Sequence, residues 1–312
     1  MRAPRGPGTG RAAVARSARR RRGPDQDRPQ GTGGQVNIEE PVGAGVTRVW
    51  HVSDVLVDVR TDYQHLVIGK TAQGVSLFCD GERQSTEFSQ LVYHEALLVP
   101  ALLLAAQVDR MLVVGSSEGV VCRIAVAAGA SVVDHVDIDT QAVRLCAEHL
   151  PYGYSAAELA AAERGDGPIR VHYADGWEFV RTSTEKYDIV LVDLPDEQEG
   201  TEAQHNRLYG EEFLKLCKGL LTPGGVVAYQ GGCPTLWRNS TLVKCWRRFE
   251  DTFEAPVYFG SAEHEWAFFF GTGLDAPVET MVARLAALPY RPETVDEPTL
   301  RGATVPPISL RR

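Results

Sequence analysis

The chain has 312 residues and is 44% hydrophobic, enough for one large α/β domain with appendages. Its formal net charge is -9, and because the first 28 residues hold nine arginines and two aspartates, residues 29–312 carry -16. This acidity disfavours nucleic acid as a partner and favours small cationic molecules.

The six cysteines form no C-x-x-C pair and have no matching histidine spacing. The sequence therefore predicts no metal site and no disulfide framework, and reduced thiols in the cytoplasm are the expectation. No apolar run of about 18 to 20 residues is present, so we expect no membrane span.

Residues 1–42 are rich in Arg, Gly, Pro and Gln, which predicts a disordered tail. Residues 43–83 contain the short β-type runs VWHVSDVLVDV, HLVIGKT and GVSLFCDG, which indicate a small antiparallel β-domain. The main α/β domain is predicted over residues 84–291 and begins with a helix over residues 84–107. Four prolines in residues 292–312 predict a loosely ordered tail.

The main domain is organised around residues 110–139, which have the pattern of a strand, a glycine-bounded turn, a helix and a second strand. A glycine such as Gly115 lets the first loop approach a ligand closely. The acid that ends the second strand, Asp137, can accept hydrogen bonds from two ribose hydroxyls. Asp139, two residues further on, is predicted to cap the next helix. The unit therefore predicts nucleoside binding.

Glu118 lies inside the loop, which reads G-S-S-E-G from Gly115 to Gly119. A carboxylate disfavours a bound phosphate and favours a nucleoside that carries positive charge. The sulfonium S-adenosylmethionine, or a relative of it, fits this requirement.

Three later strands also end in polar residues. Residues 169–173 lead to Asp175 and Gly176, residues 187–192 lead to Asp193 and Asp196, and a further strand ends at Gln230. In a doubly wound sheet these ends share one edge, where ligands bind. The sequence thus predicts that these side chains meet at one site.

Taken in order over residues 50–271, these segments resemble the polyamine aminopropyltransferases, the spermidine synthase family. The resemblance implies a Rossmann-like, methyltransferase-type doubly wound sheet preceded by a small antiparallel β-domain, in a homodimer. It implies transfer of an aminopropyl group from decarboxylated S-adenosylmethionine, a co-substrate, to a di- or polyamine. Putrescine is the default acceptor, methylthioadenosine is released, and no prosthetic group is needed.

The resemblance also assigns the donor site. The segment DYQHL places Gln64 against the nucleoside, and the loop G-S-S-E-G lies on the family's G-G-G-D-G, so Glu118 takes the position that binds the donor's amino group. Asp137 stands where the family's glutamate binds the ribose. Asp175 and Gly176 match the pair beside the adenine.

On the acceptor side, FSQLVYHE resembles the family's F-x-Y-H-E and places Tyr93 and His94 in the substrate pocket, although His94 could instead be a buried histidine satisfied within its helix. Asp193 and Asp196 match the two acids of D-S-S-D-P. Asp193 is then the proton acceptor, Asp196 orients an ammonium of the acceptor, and Gln230 matches the glutamine of the next strand.

Two segments depart from the family. The gate loop D-P-x-G-P-A is replaced from residue 196 by D-E-Q-E-G-T-E-A, and PVYFGSAEHEW stands in place of I-P-T-Y-P-S-G. These two departures leave the identity of the acceptor open. A methyltransferase using intact S-adenosylmethionine and a non-catalytic relative are the alternatives. Glu118 disfavours the first, because the donor's carboxylate would meet a like charge. Retention of Asp193 and Asp196 disfavours the second.

Overall fold

The computed structural model describes residues 36–43, 45–198 and 203–311. Of the tail predicted over residues 1–42, residues 1–35 lie outside the described part. The remainder is a strand, β1 (Val36–Gly43), which pairs antiparallel with β2 (Val46–Val52). The tail prediction is therefore wrong for residues 36–42.

β1 is ordered because a buried polar contact holds it, which the amino-acid composition does not reveal. Glu40 of β1 is buried, and its carboxylate accepts a hydrogen bond of 2.7 Å from the indole nitrogen of Trp50. Arg48 Nη1 lies 3.5 Å from the same carboxylate oxygen. A buried carboxylate with such partners fixes a strand that has little apolar surface of its own.

A second antiparallel sheet follows in the order β3-β4-β5-β6. Its strands are β3 (Asp54–Arg60), β4 (His65–Thr71), β5 (Gly74–Cys79) and β6 (Glu82–Thr86). The helix predicted from residue 84 begins later, as α1 (Gln90–Leu104), because residues up to Thr86 are paired with β5.

The main domain is built on a seven-stranded sheet in the order β12-β13-β11-β10-β7-β8-β9. Its strands are β7 (Arg110–Gly115), β8 (Val132–Asp137), β9 (Ile169–Tyr173), β10 (Tyr187–Asp193), β11 (Leu221–Gly232), β12 (Ala255–Ser261) and β13 (Trp266–Thr272). Strands β7 to β11 are parallel, whereas β12 and β13 form an antiparallel hairpin at one edge. The predicted Rossmann-like fold is confirmed.

Helices cover both faces of this sheet. After α1 they are α2 (Val120–Ala127), α3 (Thr140–His149), α4 (Ala156–Arg164), α5 (Gly176–Thr182), α6 (Glu211–Gly219), α7 (Ser240–Thr252), α8 (Pro277–Leu285) and α9 (Glu297–Ala303). Short 3-10 helices lie at Gln204–Tyr209 and Ile308–Leu310. Two apolar clusters, one on each face, bury the strands of the sheet from water.

The strand order reverses between β7 and β10. From β7 the chain proceeds to β8 and β9 on one side, and then returns to β10 and β11 on the other. In the parallel register Asp193 lies opposite Gly115. A crevice at such a switch point is where open α/β sheets bind ligands.

The C-terminal segment is docked, so the prediction of a loosely ordered tail over residues 292–312 is wrong for the residues described. Leu300 of α9 is fully buried. The buried carboxylate of Glu95 in α1 accepts hydrogen bonds from the backbone nitrogens of Glu293 (2.9 Å) and Thr294 (2.7 Å) and from the hydroxyl of Tyr290 (2.7 Å). These bonds hold the segment against the first half of α1.

Within the part of the chain that the structure describes, no helix is both long and apolar enough to cross a bilayer. All six cysteines are free thiols, and five of them are buried.

Candidate active site

A cavity of about 450 Å³ lies at the carboxyl ends of the parallel strands, beside the switch point. Nine carboxylate side chains and three guanidinium groups line it, counting described residues only. Such a wall favours a cationic ligand. Ten of the eleven predicted site residues lie on it: Gln64, Tyr93, Gly115, Glu118, Asp137, Asp175, Gly176, Asp193, Asp196 and Gln230.

The glycine loop is pressed against the end of β10. Gly115 has a φ of +81°, and a Cβ there would lie 2.1 Å from the carbonyl oxygen of Asp193. Only glycine fits this conformation and this contact without strain. The next residue, Ser116, donates its backbone N–H to the same oxygen at 3.1 Å.

Asp137 is buried at the end of β8. Ser117 Oγ donates to one of its carboxylate oxygens at 2.7 Å, and the backbone nitrogen of Asp139 donates to the other at 2.8 Å. Burial raises the pKa of Asp137 to about 6, against the lowering effect of these two bonds. The carboxylate faces the cavity as a strong hydrogen-bond acceptor.

Asp139 is the N-cap of α3, as predicted: its side chain accepts from Ala142 N at 3.0 Å. Its second oxygen accepts from Gln64 Nε2 at 2.9 Å and from Thr61 Oγ1 at 2.6 Å. Gln64 therefore joins the antiparallel sheet to the main domain at the cavity wall.

Asp175 and Gly176 begin α5. Asp175 caps this helix by accepting from Trp177 N at 2.9 Å, and its other oxygen is ion-paired with Arg207. Arg207 belongs to the 3-10 helix after the gate loop, of which residues 199–202 lie outside the described part. A Cβ at Gly176 would lie 2.7 Å from Val114 Cγ1, so its lack of a side chain lets the helix start close to β7.

Asp193 ends β10 and lies on the cavity wall. The Tyr93 hydroxyl donates to its Oδ1 at 2.6 Å. Burial raises the pKa of Asp193, while the nearby His94 imidazole and the Tyr93 hydrogen bond oppose this rise. A carboxylate with a raised pKa is a better proton acceptor.

His94 is not among the described residues that line the cavity, and its predicted contact with substrate stays a prediction. It is buried, its Nδ1 donates to the carbonyl oxygen of Gln90 at 2.7 Å, and its ring packs edge-on to Tyr93 with centroids 5.2 Å apart. Consecutive helical residues point about 100° apart, so a cavity-facing Tyr93 turns His94 inward. Its burial and its bond to Gln90 agree with the alternative of a buried histidine satisfied within its helix.

Asp196 is held by a short chain of side chains. Gln230 Nε2 donates to its Oδ1 at 2.8 Å, and Tyr209 donates to Gln230 Oε1 at 2.9 Å. Arg238 Nη2 lies 3.5 Å from the second oxygen of Asp196. The Asp196 carboxylate therefore has a fixed orientation on the cavity wall.

Among the lining residues that sequence reasoning missed, three contact predicted site residues or each other. Arg238 lies in the loop between β11 and α7, Glu82 begins β6, and Ser117 bonds Asp137. The sequence did contain a signal for Ser117, because this serine stands where the family loop G-G-G-D-G has its third glycine. Arg238 and Glu82 had no periodic signal, since each lies at or beside a turn that long-range folding brings to the cavity.

No group of three or more His, Cys, Asp or Glu among the described residues is arranged to hold a metal ion.

A doubly wound, mostly parallel sheet with an acidic cavity at its carboxyl edge defines a Rossmann-like α/β protein with a site for a small cationic ligand. Sequence comparison gives the family. The profile of the spermine/spermidine synthase domain matches residues 90–256, more than half of the chain. The chain belongs to the spermine/spermidine synthase family, and the predicted class of enzyme, a transferase of the aminopropyltransferase type, is confirmed.

Individual relatives agree with this family. The polyamine aminopropyltransferase of Pseudomonas syringae pv. tomato is 28% identical over 262 residues, which cover 80% of this chain and 87% of the relative. That of Aeropyrum pernix is 32% identical over 231 residues, which cover 70% of this chain and 69% of the relative.

Two solved structures share the fold. One is a spermidine synthase in complex with the transition state analogue AdoDATO, with a TM-score of 0.77 and 19% identity over 92% of this chain and 99% of that one. The other is the spermidine synthase from Thermotoga maritima, with a TM-score of 0.74 and 17% identity over 92% of this chain and 98% of that one.

Proposed function

We propose that this protein transfers the aminopropyl group of decarboxylated S-adenosylmethionine to a di- or polyamine, with putrescine as the default acceptor, and releases methylthioadenosine. The observation that carries the proposal is the 2.6 Å hydrogen bond between Tyr93 and Asp193 in the acidic cavity at the switch point. This bond supports the proposal because it orients a carboxylate of raised pKa on the cavity wall, where it could take the proton of an incoming amine.

The donor half follows from the strand ends. Asp137 accepts hydrogen bonds from the two ribose hydroxyls, and Gly115 leaves room for the nucleoside beside β7. Asp175 and Gly176 lie at the adenine end, and Gln64 closes the wall from the antiparallel sheet. The Ser117 hydroxyl, which donates to Asp137 at 2.7 Å, gives way to a ribose hydroxyl or turns to accept from it.

Glu118 supports a donor that lacks a carboxylate. Its charge raises the pKa of both Asp137 and Asp193, although burial is the larger cause in each case. The Glu118 charge is therefore felt both at Asp137, on the ribose side, and at Asp193, on the acceptor side. The aminopropyl chain would extend between these two carboxylates. There Glu118 binds the ammonium of that chain, whereas the carboxylate of intact S-adenosylmethionine would be repelled.

The reaction is an in-line displacement. The neutral nitrogen of the acceptor attacks the aminopropyl carbon bound to the sulfonium, the carbon–sulfur bond breaks, and its electron pair leaves on sulfur as a neutral thioether. The proton lost by the acceptor nitrogen goes to Asp193. A positioned base of this kind contributes roughly 10² to 10⁴ in rate, and alignment of the two reactants contributes through the entropy of approach.

Asp196 and Gln230 hold the acceptor end. Asp196, oriented by Gln230, pairs with an ammonium of the acceptor. We also propose a homodimer in the cytoplasm, which rests on the family resemblance and the reduced cysteines. Sedimentation equilibrium of the purified chain tests the dimer.

The first experiment compares calorimetric binding of decarboxylated and intact S-adenosylmethionine, followed by mass spectrometry of reactions with putrescine, cadaverine or spermidine. We expect preference for the decarboxylated donor and a product heavier by one aminopropyl unit. Preference for the intact donor would instead support a methyltransferase, and binding of neither would support a non-catalytic relative.

Asp193→Asn tests the proton acceptor. We expect turnover to be lost while donor binding is kept, because Asp193 meets the acceptor rather than the nucleoside. Asp188→Asn is the matched control: it lies on the same strand outside the cavity wall, where it accepts from Asp109 N at 2.9 Å and Thr222 Oγ1 at 2.7 Å. Turnover of Asp193→Asn close to that of the control would contradict the assignment.

A further inference from the structure

Arg238 puts a positive charge at the acceptor end of the cavity. Its guanidinium lies 3.5 Å from Asp196, 3.8 Å from Glu82 and 3.9 Å from Glu40. These distances exceed the roughly 2.7–2.9 Å of a direct charge-assisted hydrogen bond. The guanidinium is therefore held by the shared field of three carboxylates and not by one tight pair.

Two of these carboxylates have partners of their own. Glu40 is fixed by Trp50 and Arg48, and Asp196 is fixed by Gln230. Glu40 and Asp196 are thus held in place by residues other than Arg238. Its side chain remains about one quarter exposed to the cavity and the solvent. A ligand that reaches Asp196 must share this pocket with the guanidinium.

The surroundings determine which charges a ligand can bring. Arg48, 3.5 Å from Glu40, offsets the charge of that carboxylate, so Asp196 and Glu82 stand against the one guanidinium of Arg238. The local charge is therefore negative by about one, and a carboxylate on the acceptor is repelled. One ammonium can still be shared between Asp196 and Glu82. Each further ammonium must approach Arg238, which repels it.

We propose that Arg238 is a specificity-determining residue that restricts the acceptor to a diamine and disfavours triamines such as spermidine. The inference rests on the proposed function and deepens it, because it names the acceptor class by charge. A guanidinium that repels the more highly charged competitor achieves selectivity by penalising the wrong ligand.

The test measures kcat/KM for methylthioadenosine release with putrescine and with spermidine, using the full chain. Arg238→Gln removes the charge, and we expect the spermidine-to-putrescine ratio to rise roughly tenfold or more, mainly through the KM for spermidine. Arg238→Lys keeps the charge and should keep the wild-type ratio. A purely structural role would lower both activities in parallel and leave the ratio unchanged.

The matched control is Arg248→Gln. Arg248 pairs with Glu197, next to Asp196 in sequence, at 3.0 and 3.1 Å, and it is not among the described residues that line the cavity. The spermidine-to-putrescine ratio of kcat/KM in Arg248→Gln should equal that of the wild type. An unchanged ratio in Arg238→Gln, or wild-type preference for spermidine or for the carboxylate-bearing 4-aminobutyrate, would overturn the inference alone. No methylthioadenosine release by the wild type with any amine would overturn the proposed function and this inference together.

Discussion

Replacing Tyr93 by phenylalanine tests how the site controls its base. The Tyr93 hydroxyl donates to Asp193 at 2.6 Å, and hydrogen bonds to charged groups contribute about 1.5–3 kcal/mol. This bond stabilises the charged carboxylate, so it lowers the pKa that burial raises. Its removal must raise the pKa of Asp193 further.

The raised pKa of Asp193 in Tyr93→Phe determines in which direction the pH dependence of activity changes. Asp193 accepts a proton only when ionised, so the acid limb of kcat/KM moves to higher pH in Tyr93→Phe. Because one pH unit corresponds to about 1.36 kcal/mol, a loss of 1.5–3 kcal/mol moves that limb by about one to two pH units. Below the limb, the variant should be roughly 10- to 100-fold slower than the wild type at equal pH.

The assay follows methylthioadenosine release across a pH series with putrescine as the acceptor. Tyr290→Phe is the matched control, because Tyr290 also donates to a carboxylate, Glu95 Oε1, at 2.7 Å, yet it is not among the described residues that line the cavity. Its acid limb should coincide with that of the wild type. If the profile of Tyr93→Phe also coincides with the wild type, Asp193 does not supply the base.

Three further changes test the donor site and the fold. Because burial raises the pKa of Asp137 to about 6, its charge destabilises the free protein above that pH. Asp137→Asn should therefore raise the free energy of unfolding in urea by about 1–3 kcal/mol at pH 8 and by nothing near pH 3.5, while abolishing methylthioadenosine binding. Glu95→Gln weakens the bonds to Thr294 N and Oγ1, so the thermal midpoint should fall and amide hydrogen exchange at Thr294 should accelerate, and unchanged exchange would contradict this anchoring role. Gly115→Ala places a methyl group 2.1 Å from the Asp193 carbonyl at a φ of +81°, and an unaltered melting temperature and donor affinity would show that the loop is not constrained.

Much of the donor site could be predicted because it depends on local order along the chain. Parallel strands present their carboxyl ends at one edge, so the acids that follow each strand converge without any knowledge of long-range packing. Asp137, Asp175 and Asp193 meet in this way, and the wall of the cavity contains all three.

The acceptor side was less predictable because its residues come from turns and from a second sheet. Arg238 and Glu82 are 156 positions apart, yet their side chains lie 3.8 Å apart. Hydrophobic periodicity is silent about such pairs. β1 was missed for a related reason: its anchor, Glu40, is a buried carboxylate in a segment whose composition is typical of disorder.

The hairpin formed by β12 and β13 has a consequence for how the protein can change. Because β13 runs antiparallel to β11, its first residue, Trp266, lies at the same edge as the carboxyl ends of the parallel strands. His264 and Glu265 of the connecting turn therefore lie on the cavity wall beside the acceptor end, on an element separate from the nucleoside loop. We expect mutation of this turn to alter which amine is used while leaving the proposed donor site intact, so a combinatorial library confined to residues 262–265 is a compact way to search for new acceptors.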